Sequence, residues 1–81
     1  MFRPDYNSVS QLGSAVFNRV TNTYTGPDCH YVDNSGAVSI NGQAVPATFE
    51  VNVKHGFFRD TATVTVNAGG QTYTQSGRMH R

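Results

Sequence analysis

The stretches ATFEVNVK (residues 47–54) and TATVTVN (residues 61–67) decide the fold of this 81-residue chain. In both stretches an apolar residue alternates with a polar one. Because successive side chains of a β-strand point to opposite faces of the sheet, this alternation predicts strands with one apolar and one solvated face. Such strands are typical of an antiparallel sheet that is covered on one side only.

Weaker signals extend the sheet on both sides of these strands. The cluster at residues 33–36 (DNSG) reads as a turn, and Asn41-Gly42 is the strongest hairpin signal because a type I′ turn needs positive φ at both central positions. Pro46 cannot donate a hydrogen bond to a ladder, so the next strand is expected to begin there or to lie at an edge. The predicted strands are residues 28–33, 37–40, 47–54, 61–67 and 71–76.

A single helix is predicted, over residues 8–20. Ser8 and Gln11 fit a capping box, in which the Ser8 hydroxyl accepts from the amide of Gln11 and the Gln11 side chain reaches back. Gly13 costs about 1 kcal/mol of helix propensity relative to Ala, but it would let a strand approach closely. The apolar stripe is formed by Val9, Leu12, Val16 and Val20, with Phe17 beside it. The fold class is therefore α+β, with one N-terminal helix packed on an antiparallel sheet of four to five strands in two layers.

The composition indicates one folded domain, residues 1–81, with a thin core. Leu, Ile, Val and Phe supply 17 of the 81 residues, and ten of these are Val. A domain of this size buries only about 60% of the surface that its unfolded chain exposes. Dimerisation or docking on a partner would add stability. The end of the chain, residues 77–81, is predicted to be a disordered basic tail.

Charge and cysteine content limit the cellular compartments and the classes of partner that are expected. The net charge is +1, and the six Lys and Arg residues form no run of three, so a duplex DNA-binding domain is not expected. The first residues lack the apolar segment of a signal peptide, and no stretch approaches the roughly 18 apolar residues that span a membrane. With a single cysteine the chain is expected to be cytoplasmic, in the host cytoplasm if the protein is viral.

No motif predicts an enzyme, a metal site or a cofactor. Cys29, His30 and His55 would have to converge from different strands to form a nucleophile and its base. Metal ligation would draw on the same three residues and His80, but their spacing matches no known ligand pattern. Glu50 has no facing carboxylate for acid–base chemistry, and no phosphate-binding loop occurs.

The segment HGFFRD (residues 55–60) is the best candidate binding site because it joins the two clearest strands. Consecutive residues of a strand face opposite sides, so one of Phe57 and Phe58 is expected to be exposed beside Arg59, as an interface anchor. Two alternatives remain open: both rings pack on the protein itself, or they stack on bases. The predicted partner-binding residues are Lys54, His55, Phe57, Phe58, Arg59 and Tyr73.

These features predict a small non-enzymatic module that binds another protein and blocks or scaffolds it by occupying a site. Small α+β proteins without catalytic motifs are common among virus and mobile-element products, including inhibitors of host defence complexes, and such an inhibitor is the leading expectation. The alternatives are a self-associating structural subunit, a sheet-based binder of single-stranded nucleic acid and a small cysteine enzyme. A homodimer closed through a sheet edge is also expected, because unpaired edge amides invite strand addition.

Overall fold

A computed structural model describes residues 6–79 of the chain as one helix packed against a four-stranded antiparallel sheet. The strands follow each other in the sheet in chain order, so every connection is a hairpin. This arrangement confirms the predicted α+β class and two-layer architecture. The elements are α1 (Val9–Thr23), β1 (Cys29–Ile40), β2 (Gln43–His55), β3 (Asp60–Ala68) and β4 (Gln71–Arg78).

The helix begins as predicted and ends later. The Ser8 hydroxyl accepts from the Gln11 amide at 3.2 Å, while the Gln11 side chain accepts from the amide of Asn7 at 2.8 Å, one residue before the expected partner. Thr21, the first residue after the predicted helix, is fully buried, and its hydroxyl donates to a carbonyl of the preceding turn. Since its side chain is satisfied inside the helix, α1 continues to Thr23.

The core lies between α1 and the inner faces of the strands, mainly β3 and β4. The alternation of β2 and β3 is confirmed, because their apolar residues point inward and the polar residues between them face solvent or are only partly covered. The buried core residues of these strands and of the helix are Ala47, Val51, Val53, Ala62, Val64, Val66, Ala68, Val9, Leu12, Phe17 and Val20.

The predicted turn at residues 33–36 is wrong: the chain continues through it as the single strand β1. Asn34 and Ser35 together lie opposite one residue of β2, which is a β-bulge. The extra residue reverses the inward and outward alternation, so that Val38 lies on the inner face and is fully buried. The Asp33 carboxylate accepts from the Ser35 amide at 2.7 Å, a local bond that suits a bulge as well as a turn.

The hairpin between β1 and β2 has the predicted turn. Asn41 and Gly42 have φ values of 53° and 80°, as a type I′ turn requires. β2 begins at Gln43, earlier than expected, and contains Pro46. Pairing between β2 and β3 starts only at Ala47, so Pro46 lies where β2 has one neighbour and no ladder bond to β3 is needed.

The structure also orders most of the segment that was predicted as a tail, residues 77–81. Gly77 and Arg78 belong to β4 and pair with β3. The amide of Met79 then donates to the carbonyl of Asp60 at 2.9 Å. The last two residues lie outside the described part of the chain.

Candidate partner-binding surface

The segment HGFFRD forms the hairpin loop between β2 and β3. His55 and Asp60 are the last paired residues, and the Gly56 amide donates to the carbonyl of Arg59 at 2.8 Å. A Cβ atom at residue 56 would lie 2.4 Å from that carbonyl oxygen, so only glycine fits this close approach. The loop is therefore shaped by its own sequence and closed by a backbone bond.

Phe57 and Phe58 are both exposed on this loop, at 94% and 93% of their full surface. Their ring centroids are 4.7 Å apart and the rings are nearly perpendicular, at 77°, an edge-to-face pair of the kind that aromatic rings favour. The sequence predicted that one of the two rings is exposed, and the structure exposes both. The alternative in which both rings pack against the protein is wrong, because the rest of residues 6–79 leaves both almost completely exposed.

Cationic side chains flank the two rings on both sides. One depression beside the rings, of about 460 Å³, is lined by Arg59 and Arg78, and a second, of about 300 Å³, is lined by Arg59 and Lys54. Lys54 and Arg78 are brought to the same end of the sheet because both pair with the same residue of β3. We call Phe57, Phe58, Lys54, Arg59 and Arg78 the hairpin tip.

His55 holds the base of the hairpin tip against the loop between α1 and β1. Its Nδ1 lies 3.1 Å from the carboxylate of Asp60 and its Nε2 lies 2.8 Å from the carbonyl oxygen of Gly26. Its backbone amide donates to the carboxylate of Asp28 at 2.7 Å. Because both ring nitrogens face acceptors, only the protonated imidazolium can donate to both. The hydrogen bond to Gly26, and next the Asp60 carboxylate, raise the pKa of His55 above its usual range.

We expect the thermal stability of the protein to fall as the pH rises above the range of a free histidine. The pKa of His55 is higher in the folded protein than in the unfolded chain, where it is about 6.5. The protonated side chain therefore contributes stability that is complete below about pH 6.5 and is lost as the pH rises through the folded-state pKa. The measurement is the midpoint of thermal unfolding between about pH 5.5 and pH 9. His55→Gln should flatten this part of the profile; equal slopes in the two proteins would contradict the assignment.

Tyr73 does not belong to this surface, contrary to its place among the predicted binding residues. It pairs with Val66 in the middle of the sheet, faces the helix and is half-buried. A Cβ atom on Gly13 would lie 2.4 Å from its ring. Six residues of β3 separate its neighbour from the hairpin tip, about 20 Å at 3.4 Å per residue.

Arg78 is the residue of the hairpin tip that the sequence analysis missed, since it was assigned to the tail. A register argument could have found it. The two-residue turn Gly69-Gly70 sets the pairing of β3 with β4, and this pairing carries Arg78 to Thr61, beside the loop.

Among the side chains considered for nucleophilic chemistry, both ring nitrogens of His55 face other partners, Gly26 and Asp60. Cys29 is partly buried and pairs with Val53 of the core, whereas the next residue, His30, faces the other side of the sheet. The His30 Nε2 lies 2.6 Å from the carboxylate of Glu50, and both side chains are about half exposed. Among residues 6–79, no group of three or more His, Cys, Asp and Glu side chains is arranged to hold a metal ion.

Comparison with protein-family models, curated proteins and solved structures finds no match to this chain. In the part of the chain that the structure describes, no helix is long and apolar enough to cross a membrane.

Proposed function

We propose that this protein is a small non-enzymatic binding module, which docks on another protein through the hairpin tip and acts by occupying a site there. The observation that carries the proposal is the pair Phe57 and Phe58, both almost completely exposed at the end of a hairpin. Blocking a host complex would suit such a module in a virus or mobile element. That origin, and a location in the cytoplasm, stay predictions from size and composition.

The exposed rings favour burial in a partner. Burying a Phe side chain contributes about 1.5–3 kcal/mol, and aromatic residues beside Arg are typical of the few residues that dominate interface energies. Leaving two such rings in water gives the isolated protein none of this energy. A pocket on a partner would recover it.

The hairpin tip is also well held, which lowers the cost of docking. The paired strands end directly at the loop, and the bond from Gly56 to Arg59 closes it. His55 ties its base to Gly26 and Asp60. Because these contacts exist before a partner arrives, less conformational entropy has to be lost on binding.

Charge indicates what the pocket looks like. Lys54, Arg59 and Arg78 surround the rings, and Asp60 beside them is engaged by His55. An apolar pocket with an acidic rim complements this pattern, and such complementarity mainly increases the association rate and sets specificity.

The experiment is site-specific photocrosslinking with a photoreactive phenylalanine in place of Phe58, in lysate of the native source. The matched control places the same analogue at Thr72, an exposed residue at the other end of the sheet. Crosslinking of a discrete protein from position 58 and not from position 72 is expected. The same products from both positions, or none from 58, would refute docking through the hairpin tip.

Loss of the rings should abolish binding to the partner so identified. The variant Phe57→Ser with Phe58→Ser is expected to bind at least about a hundredfold more weakly, since two anchor residues typically contribute 2 kcal/mol or more each. Titration calorimetry measures this, and circular dichroism checks the fold. Thr72→Ser with Thr74→Ser, on exposed positions of β4, is the control. The proposal would be wrong if no protein is captured and the two phenylalanines are instead required for binding to single-stranded oligonucleotides or to vesicles.

A further inference from the structure

One stretch of the edge strand β1 is open to another strand. Within residues 6–79, β2 is the only strand that pairs with β1. Near its end the amide of Ser39 donates to the carbonyl of Tyr6 at 2.7 Å, so the segment before the helix covers that part of the edge. Between Cys29 and Asp33, no backbone hydrogen bond from elsewhere in residues 6–79 reaches the strand except from β2.

Two large apolar side chains lie on this open stretch. Tyr31 is 43% exposed and Val32 is 54% exposed, and outside the hairpin tip these are the only exposed large hydrophobic residues between positions 6 and 79. As neighbours in a strand they face opposite sides of the sheet. The opposite edge, β4, exposes polar residues instead. An apolar, uncovered edge is the kind that pairs with another strand.

The inner face beside this stretch is also uncovered. Since α1 packs on β3 and β4, an open groove of about 320 Å³ remains between the helix and β1. Four apolar residues and one pair of opposite charges line it: Val16, Val20, Tyr31 and Phe49, with Arg19 and Asp33. The groove and the open edge form a continuous surface, so that a strand added to the edge would extend the sheet beneath the groove.

We propose that a second copy of this chain occupies the edge, with the two β1 strands antiparallel about a two-fold axis at Tyr31. The open stretch runs from the first residue of β1 to the bulge, and Tyr31 is its midpoint, so this register pairs all five residues in both copies. The two Tyr31 residues then face each other on the inner face. The result is a continuous eight-stranded sheet with both helices on one side.

Charge and geometry are compatible with this pairing. Residues 29–33 contain no Lys, Arg or Pro, the residues that usually guard an edge. In the register about Tyr31, Asp33 lies opposite Cys29, and His30 lies opposite Val32, so no like charges meet. The antiparallel arrangement sends the two hairpin tips to opposite ends of the sheet. Both tips stay free, so that the dimer and the docking function are independent of each other.

The register is tested by disulfide trapping in a Cys29→Ser background. With the axis at Tyr31, Tyr31→Cys places two sulfurs on directly opposite residues, about 4.5–5.5 Å apart at Cα, within the range of a disulfide. Val32→Cys places them about 8 Å apart at Cα, which is too far. Mild oxidation should crosslink the first variant and not the second. Equal crosslinking, or crosslinking of the second alone, would overturn the register.

The dimer itself is tested on the otherwise unchanged chain by sedimentation equilibrium over a dilution series. The mass should rise from 8.8 kDa towards twice that value as the concentration increases. Val32→Lys, which puts a charge on the exposed edge, should weaken association at least tenfold. Thr74→Lys, on exposed β4, is the control and should not. A mass of 8.8 kDa at millimolar concentration, or equal association of the two variants, would refute the proposal.

Discussion

Val64→Asp is expected to leave the chain unfolded at pH 7 and 25 °C. Val64 is fully buried at the centre of the sheet, between Val51 of β2 and Gln75 of β4. An unpaired carboxylate there costs several kcal/mol in desolvation, and the lost Val burial adds about 1.5–3 kcal/mol. The sum reaches the whole stability of a domain this small, on the order of 5 kcal/mol.

The neighbouring residue provides the control. Thr63→Asp introduces the same side chain one position earlier, on the polar face between Asn52 and Ser76. It should cost at most about 1 kcal/mol, the range of strand propensities. Circular dichroism and urea titration of both variants measure the difference. Similar stabilities would mean that the face of β3 is assigned wrongly, and with it the fold.

The central hairpin was predictable because its strands carry a complete alternation. In residues 47–54 of β2 and 61–67 of β3 each inward residue is apolar and each outward residue is polar, so the pattern alone identifies the buried face. β4 has no such pattern. Its inward residues are Tyr73, Gln75 and Gly77, and Gln75 is accommodated by accepting from Ser14 at 3.0 Å and from Tyr73 at 2.8 Å. Because Ser14 lies on the helix, far from β4 in the chain, the position of Tyr73 could not be derived locally.

The bulge in β1 was missed for a related reason. Asp, Asn, Ser and Gly favour turns by bonding to their own backbone, and the Asp33 carboxylate does accept from the Ser35 amide. The same local bond fits a bulge. Whether a turn or a bulge forms is decided by the neighbouring strand β2, which pairs with β1 both before and after Ser35. The local sequence contains no information about this pairing.

The sequence predicted one exposed ring at Phe57 and Phe58, whereas the structure exposes both. Alternation forbids two neighbouring residues of a strand to share a face, which is why only one of Phe57 and Phe58 was expected outside. The rule does not apply in a hairpin loop, where the backbone has left the ladder. The close approach of Gly56 to Arg59 turns the chain so that both rings point into solvent.

Gly13→Ala is expected to destabilise the protein although it improves the helix. In an exposed helix this substitution stabilises by about 1 kcal/mol. Here the new Cβ would lie 2.4 Å from Cδ2 and 2.8 Å from Cε2 of Tyr73. The ring cannot move freely, because its hydroxyl donates to Gln75, which also accepts from Ser14. Overpacking typically costs about 1–3 kcal/mol, so a net loss of up to about 2 kcal/mol follows.

A double-mutant cycle separates the effect of Gly13→Ala on helix propensity from its effect on packing against Tyr73. In a Tyr73→Ala background the ring is absent, and Gly13→Ala should then stabilise the protein by about 1 kcal/mol, the propensity difference alone. Asn18→Ala, on the exposed side of α1, should stabilise slightly in either background. Urea unfolding of the four proteins measures the coupling. A Gly13→Ala effect of the same sign with and without the ring would show that Gly13 is not required for the contact between α1 and β4.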